Sequence, residues 1–196
     1  MPVTGQRAQF RRMQDGTAAD YAVIEAAEQA YFAKLPGRII DAVAGLAADG
    51  LDGYPVDRTQ HSLQSASRAL RDGRETEYVV AALVHDVGDA LAPFSHGRLA
   101  ASILRPFVSA RIAWIVEHHP VFQTYHYGPY LGVDKNARER YRGHQWFDDT
   151  AEFCARYDEN CFDRDYDSLP LEHFVPLVRE IFGREPAFPE TVPLPG

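Results

Sequence analysis

The sequence predicts an all-α protein, a helical bundle with a metal site in its core. Seven segments of eight to thirteen residues between His61 and Phe182 carry apolar side chains at helical spacing. Strand signals are weak, because the chain shows neither sustained alternation of apolar and polar residues nor an Asn-Gly hairpin turn. Histidines and aspartates recur on successive predicted helices, which favours a set of ligands converging in the interior of the bundle.

The elements follow one another in a simple order. A polar, flexible lead-in over residues 1–17 precedes an alanine-rich stretch over 18–48, where two helices meet at Pro36 because proline disfavours a helical residue before it. A glycine-containing loop over 49–54 comes next. The seven further helices are expected over 61–70, 76–86, 96–104, 109–119, 134–141, 146–158 and 170–182. Ser109, Asp134 and Ser168 are candidate helix caps. Three prolines in the last ten residues predict a tail without regular structure.

Length and composition limit the class of protein. We expect one domain over residues 1–196, with a core over about 18–185. The net charge of −8, without a local basic stripe, excludes a nucleic-acid surface. No apolar run approaches the roughly 20 residues of a membrane span, and the first residues lack the apolar centre of a secretory signal. The two cysteines, Cys154 and Cys161, cannot form a disulfide framework, so a cytoplasmic protein is expected.

The segment around the fourth predicted helix, over residues 76–86, carries the chemistry. Residues Val79 to Val84 are apolar on every side of a helix, which predicts that this helix is buried. His85 and Asp86 follow at its end. A buried carboxylate costs several kcal/mol unless it has a partner, a shifted pKa or a metal ion. For an isolated His-Asp pair, the alternative is a hydrogen-bonded core histidine with Asp86 as a helix cap.

Neighbouring helices add further ligand candidates to this pair. They are His61, His96, one histidine of the pair His118–His119, and Asp158. Four imidazoles and two carboxylates without a thiolate suit iron, manganese or zinc. Six ligands are too many for one metal ion with an open position, and they fit two ions bridged by Asp86. We favour His119 as the ligand, because His118 shares its helix face with the charged Arg111. Since helix ends fray, His118 stays an alternative.

The pattern of His61, the dipeptide His85-Asp86 and Asp158 resembles the H…HD…D signature of the HD domain superfamily, an all-α fold. The phrases YPVDRTQHSLQSA (54–66) and ALVHDVGDALAPFSHG (82–97), with the fourth histidine, resemble its mixed-valent diiron oxygenase branch. That branch includes myo-inositol oxygenase and the 1-hydroxyphosphonate oxygenases. The resemblance covers about residues 55–160. It implies the metal ligands His61, His85, Asp86, His96, His119 and Asp158.

The resemblance also implies an activity. We expect an Fe(II)/Fe(III) pair bridged by Asp86, the catalytic residue, with O2 as co-substrate. The expected reaction is oxidative cleavage of the C–P bond of a 1-hydroxyphosphonate. Within the branch the substrate would be (R)-1-hydroxy-2-(trimethylammonio)ethylphosphonate, and the products glycine betaine and phosphate. The alternative is a metal-dependent HD-family phosphohydrolase that acts on a phosphate ester or nucleotide; the four-histidine series and the HSLQSA phrase favour the oxygenase.

Four residues are predicted to contact the substrate, namely Tyr54, Asp57, Asp89 and Gln123. Tyr54 and Asp57 resemble the tyrosine–acid pair of the 1-hydroxyphosphonate oxygenases; the alternative is a packed loop tyrosine with Asp57 as a helix N-cap. Asp89 and Gln123 replace basic residues of that branch. This leaves the phosphonate contacts open, with three basic residues as substitutes: Lys135, Arg138 and Arg156.

A cationic end of the substrate is also expected. Asp57 and Asp89 supply negative charge, and the rings of Phe122, Tyr125 and Tyr127 offer faces that suit a quaternary ammonium group. For each single ring, hydrophobic packing is the alternative.

Overall fold

In a computed structural model, the chain is described over residues 5–49 and 53–187. This part of the chain contains eight α-helices and no β-strand, which confirms the all-α prediction. The helices are α1 (Ala18–Phe32), α2 (Leu35–Gly45), α3 (Arg58–Arg71), α4 (Thr76–Val84), α5 (His96–Leu104), α6 (Ala110–Tyr127), α7 (Phe147–Tyr157) and α8 (Leu171–Phe182). Residues 50–52 of the predicted loop and residues 188–196 of the predicted tail lie outside the described ranges.

The first two helices begin as the sequence suggests. Thr17 starts α1 with a capping box, in which its side chain accepts from the Asp20 amide and the Asp20 carboxylate accepts from the Thr17 amide. Pro36 lies in the first turn of α2, where its missing N–H costs no helical hydrogen bond. Helix α1 has no buried residue, so the core begins with Ile39 and Val43 of α2.

Helix α4 lies at the centre of the bundle. All of its residues from Tyr78 to Val84 are buried, as the apolar run predicts. Helices α3, α6 and α8 pack against α4, α2 packs against α8, and α6 also contacts α5 and α7. The end of α4, where His85 and Asp86 follow, therefore lies inside the bundle.

Three local predictions differ from the structure. Helix α6 does not end at His119 but runs through Pro120 to Tyr127. The helix expected over 134–141 is a short 3-10 turn over Ala137–Tyr141. Of the three predicted caps, Ser109 caps α6 by accepting from the Ile112 amide. The residue that precedes α8 is Pro170 and not Ser168. Asp134 accepts from the Asn136 amide in a turn and does not cap an α-helix.

None of the helices found in residues 5–49 and 53–187 combines the length and apolarity needed to cross a bilayer.

Candidate metal centre

Helices α3 to α7 bring six predicted ligand residues together. His61 lies in the first turns of α3, and His96 is the first residue of α5. His85 and Asp86 directly follow α4, and Asp158 directly follows α7. The remaining residue is His119 in the middle of α6. Overlapping groups of three from this set each place their ligand atoms within 4.8 Å of one another.

Asp86 lies at the centre, and its two carboxylate oxygens face different histidines. Its Oδ2 is 3.5 Å from the Nε2 atoms of both His61 and His85. Its Oδ1 is 3.5 Å from Nε2 of His96 and 3.3 Å from Nε2 of His119. A bridging carboxylate between two metal ions needs this division of its oxygens.

Asp158 lies closest to the imidazoles of His61 and His85, and a ligand atom of His119 is also within 4.8 Å of its carboxylate. Its Oδ1 is 3.3 Å from Nε2 of His61 and 3.8 Å from Nε2 of His85. We call His61, His85, Asp158 and Asp86 Oδ2 the first subsite. We call His96, His119 and Asp86 Oδ1 the second subsite.

The four imidazoles turn their Nε2 atoms inward because their Nδ1 atoms face backbone carbonyls. The Nδ1 atom of His61 lies 3.1 Å from the Cys161 carbonyl oxygen, and that of His85 lies 2.8 Å from the Ala82 carbonyl oxygen. The Nδ1 atom of His119 lies 2.7 Å from the Val116 carbonyl oxygen, and that of His96 lies 3.4 Å from the Pro93 carbonyl oxygen. An Nδ1–H that donates to a carbonyl leaves the Nε2 lone pair available to a metal ion.

Pro120 contributes to the orientation of His119. A proline has no N–H, so the Val116 carbonyl four residues earlier cannot accept the usual helical hydrogen bond. That carbonyl instead accepts from His119 Nδ1 at 2.7 Å. The proline thus supplies a backbone acceptor at the ligand while the helix continues.

The donor set fits two metal ions. His61, His85, Asp86, His119 and Asp158 are each at most 4% exposed, an unfavourable state for carboxylates without a partner. Among the described residues, the Oδ2 atom of Asp158 is buried without a hydrogen-bond partner. Imidazole nitrogens and carboxylate oxygens without thiolates suit iron, manganese or zinc.

One charged residue of the site is not predicted from the sequence. Arg58, the first residue of α3, directs its guanidinium into the cluster and is 16% exposed. It donates to Asp86 Oδ2 at 2.9 Å, and a second nitrogen lies 3.0 Å from Asp89 Oδ2. Its position three residues before His61 is the signal in the sequence, since residues three apart share a helix face.

The pKa values reflect burial and these contacts. Burial lowers the pKa of His85 to about 4, so this ring is neutral and fit to be a ligand. Burial also lowers the pKa of His96, but Asp89 and Asp86 outweigh it and bring the pKa to about 8. Burial alone would raise the pKa of Asp86, yet the surrounding imidazoles hold it well below its usual range.

The predicted substrate contacts are divided between the cluster and its surroundings. Asp89 lies in the cluster, with its Oδ1 3.0 Å from His96 Nδ1. Gln123 is buried one turn after His119, and its Oε1 has no hydrogen-bond partner in the described chain. Tyr54 stacks on Phe162, which stacks in turn on His61.

Asp57 takes the role that the sequence left as its alternative. It is exposed, and its carboxylate accepts from the Gln60 amide at 2.8 Å as the N-cap of α3. The structure therefore gives the Asp57 carboxylate a capping role.

The predicted aromatic lining needs correction at two rings. Phe122 is fully buried and packs against Phe147, so it belongs to the core. The ring of Tyr125 is covered by the Arg138 guanidinium, 3.7 Å from the ring centre. Tyr127 is 43% exposed and lines a cavity of about 450 Å³ beside His96.

Three further predictions concern histidine and basic residues outside the cluster. His118 stays outside it, because its ring stacks on Trp114 and its Nδ1 faces the Trp114 carbonyl at 3.0 Å. Arg156 lies at the surface and pairs with Asp72 and Glu152. Lys135 is exposed.

Comparisons with known proteins agree with this geometry. The model of the HD domain family matches residues 58–143. That segment contains His61, His85, Asp86, His96 and His119, and Asp158 follows it. The match indicates an HD domain over these residues, and the buried cluster could hold a metal ion.

One curated relative is similar to part of the chain. It is the 1-hydroxy-2-(trimethylamino)ethylphosphonate dioxygenase (glycine-betaine-forming) of Leisingera caerulea. The two sequences are 28% identical over 104 residues, which is 45% of this chain and 53% of the relative. The chain thus spans about half the length of the curated relative that it matches.

Proposed function

We propose that this protein is an O2-dependent oxygenase that uses two iron ions to cleave the C–P bond of a 1-hydroxyphosphonate. The observation that carries the proposal is the position of Asp86, whose two oxygens face two separate pairs of imidazoles. Two-metal sites also occur in phosphatases, so the choice of an oxygenase depends in addition on the similarity to a dioxygenase. The similarity to a phosphonate dioxygenase supports the class of substrate.

Each residue has a defined part in this function. Iron, when bound, supplies the redox chemistry with O2 that amino-acid side chains lack. Asp86 would hold the two ions at one carboxylate, and the four imidazoles would bind them through Nε2. The first subsite would supply four protein ligand atoms and the second three, so the second would leave more positions for the substrate and O2.

Around the cluster, the chain supplies charge and shape for a substrate. Arg58 brings a guanidinium to the side of Asp86 and can bind an oxyanion through its remaining N–H groups. Gln123 presents a buried Oε1 that has no partner in the described chain and can accept a hydrogen bond. The cavity beside His96 gives access from solvent and has the ring of Tyr127 in its wall.

For the substrate itself, we propose (R)-1-hydroxy-2-(trimethylammonio)ethylphosphonate, which would give glycine betaine and phosphate. The activity of the phosphonate dioxygenase of Leisingera caerulea supports this choice. Since Asp57 caps a helix and Asp89 is paired, the exposed ring of Tyr127 is a better candidate for the quaternary ammonium group. The ring of Tyr54 already stacks on Phe162 and lies 4.8 Å from the Arg58 guanidinium. A cation over a tyrosine ring contributes about 1 kcal/mol, more when desolvated.

The test is phosphate release with and without O2. The protein is reconstituted anaerobically with iron and given the trimethylammonio substrate, its primary-amine analogue, an uncharged 1-hydroxyalkylphosphonate and a phosphate monoester. We expect one O2 consumed per phosphate released, since the two products contain two oxygen atoms more than the substrate. We also expect the trimethylammonio compound to be turned over best.

Two outcomes would contradict the proposal. Catalytic phosphate release that continues undiminished under strict anaerobiosis would favour the phosphohydrolase. Equal turnover of all three phosphonates would be consistent with an oxygenase but would contradict a preference for a substrate with a quaternary ammonium group.

A further inference from the structure

The carboxylate of Asp89 lies at ion-pair distance from one side chain at each of its oxygens, and its Oδ2 forms no hydrogen bond in the described part of the chain. Its Oδ1 lies 3.0 Å from Nδ1 of His96, and its Oδ2 lies 3.0 Å from the guanidinium of Arg58. The side chain is 9% exposed. Asp89 therefore faces a ligand residue of the second subsite on one side and a buried cation on the other.

His96 differs from the other three imidazoles in how it is held. The rings of His61, His85 and His119 each have a backbone carbonyl within 3.1 Å of Nδ1. The carbonyl nearest to His96 Nδ1, that of Pro93, lies at 3.4 Å, beyond the range of a strong N–H···O bond. The His96 side chain is also the most exposed of the four, at 19%, and it lies at the start of α5.

We infer that Asp89 is a positioning residue that, held by Arg58, fixes the ring of His96 and thereby completes the second subsite. A carboxylate at Nδ1 selects the tautomer whose Nε2 is available, and it makes that nitrogen a stronger ligand. The inference rests on the proposed two-metal function. It assigns Asp89 to the metal centre and not to a cation of the substrate.

The arrangement makes the effect of Asp89 specific to one subsite. The ligand atoms of the first subsite belong to His61, His85, Asp158 and Asp86. Neither Asp89 nor His96 lies among the groups that contain His61, His85 or Asp158. Loss of Asp89 should therefore weaken the binding of the second ion and leave that of the first ion unchanged. A merely structural role would instead lower both affinities together with the melting temperature.

The test measures stepwise metal binding by the full chain. Metal-free wild type, Asp89→Asn and Asp89→Ala are titrated with Mn²⁺ under argon, with free Mn²⁺ followed by electron paramagnetic resonance. We expect two ions per wild-type chain. The second ion should bind about 10- to 100-fold more weakly in Asp89→Ala, with a smaller loss in Asp89→Asn, because the amide oxygen can still accept from His96.

Two controls isolate the effect. Asp41→Asn removes the same charge from an exposed position of α2 and should leave both affinities unchanged. In a His96→Ala background, adding Asp89→Ala should change the metal binding no further, because Asp89 acts through His96. Circular dichroism and thermal melting of the metal-free variants show that each is folded.

The outcomes separate this inference from the function on which it rests. Two ions bound by Asp89→Ala with wild-type affinities would overturn the role of Asp89 and leave the two-metal site in place. An equal loss of both ions would overturn it as well. A wild-type chain that binds a single ion would overturn both the inference and the proposed function.

Discussion

In the proposed function, Asp86 sets how many metal ions the site can hold. One of its oxygens lies 3.5 Å from the imidazoles of His61 and His85, while the other lies within 3.5 Å of His96 and His119. A carboxylate that belonged to one subsite alone would leave the opposite pair of imidazoles without an acidic partner. The role of Asp86 is therefore distinct from that of Asp158, which lies closest to the imidazoles of the first subsite.

Replacing these two aspartates should separate their roles. Asp86→Ala removes an oxygen ligand from both subsites and places the two ions together without the bridging charge, so we expect loss of both ions. Asp158→Ala should weaken the first ion and retain the second. Metal content per chain, measured by mass spectrometry after reconstitution with iron, distinguishes the two variants. Two ions and normal turnover in Asp86→Ala would refute the bridging role.

Some residues of the cluster could be predicted from the sequence, and others could not. The six ligand candidates stand out because histidines and aspartates recur at the ends and on the buried faces of predicted helices. Arg58 was missed because an arginine near the start of a helix is usually a solvated residue, and its partner Asp86 lies 28 residues away. Asp57 was assigned to the substrate because local sequence cannot separate a capping carboxylate from a binding one.

At the scale of elements, the helices that carry ligands were predicted well and their ends less so. Helix α5 begins and ends where the pattern indicates, at His96 and Leu104. Helix α6 continues eight residues beyond its predicted end because Pro120 is accommodated inside it. A proline usually ends a helix, but here the carbonyl that it leaves without an amide partner accepts from His119.

The crossing of α5 and α6 depends on Gly97. A Cβ atom at this position would lie 2.8 Å from Pro120 Cγ and 2.9 Å from the Val116 carbonyl oxygen. Both atoms belong to the turn of α6 that orients His119. The close approach keeps the Nε2 atoms of His96 and His119 3.2 Å apart.

Gly97→Ala should therefore push α5 away from α6 and separate the two ligands of the second subsite. We expect about 1–3 kcal/mol of lost stability from overpacking, together with weaker binding of the second ion. Gly37→Ala is the matched control, since a Cβ there meets nothing within 4 Å and alanine favours the helix by about 0.5–1 kcal/mol. Urea unfolding and metal titration of both variants provide the measurement. A Gly97→Ala protein that equals the wild type in both would contradict this account of the crossing.

At the scale of the whole molecule, the fold class could be predicted from the sequence, whereas the neighbours of each helix could not. The run Val79–Val84 predicts a central helix because it leaves no polar face for solvent. Which helices surround α4 depends on contacts between residues far apart in the chain, and helical periodicity carries no information about them. The HD-like signature adds that information only by resemblance.

The buried imidazoles also make the stability of the metal-free protein depend on pH. Burial lowers the pKa of His85 to about 4, from about 6.5 in an unfolded chain, so folding excludes a proton from this ring. The stability that this provides is complete above pH 6.5 and is lost as the pH falls towards 4. The pKa of His96 is raised to about 8, mainly by Asp89 and Asp86 against the effect of burial, so its contribution is complete below pH 6.5 and is lost as the pH rises through 8.

The two effects have opposite signs, and together they predict that the metal-free protein is most stable near pH 6.5. Chelator-treated protein is unfolded with urea between pH 4.5 and 8.5, and the free energy of unfolding is compared across the range. The shift at His85 corresponds to at most about 3 kcal/mol on the acid side. His85→Gln should flatten the acid limb, because glutamine does not titrate, whereas His173→Gln, an exposed position of α8, should leave both limbs unchanged. If the free energy of unfolding of the wild type does not fall when the pH is lowered from 6.5 to 4.5, the core accepts a charged His85. A ring that is charged at that pH would be a poor metal ligand.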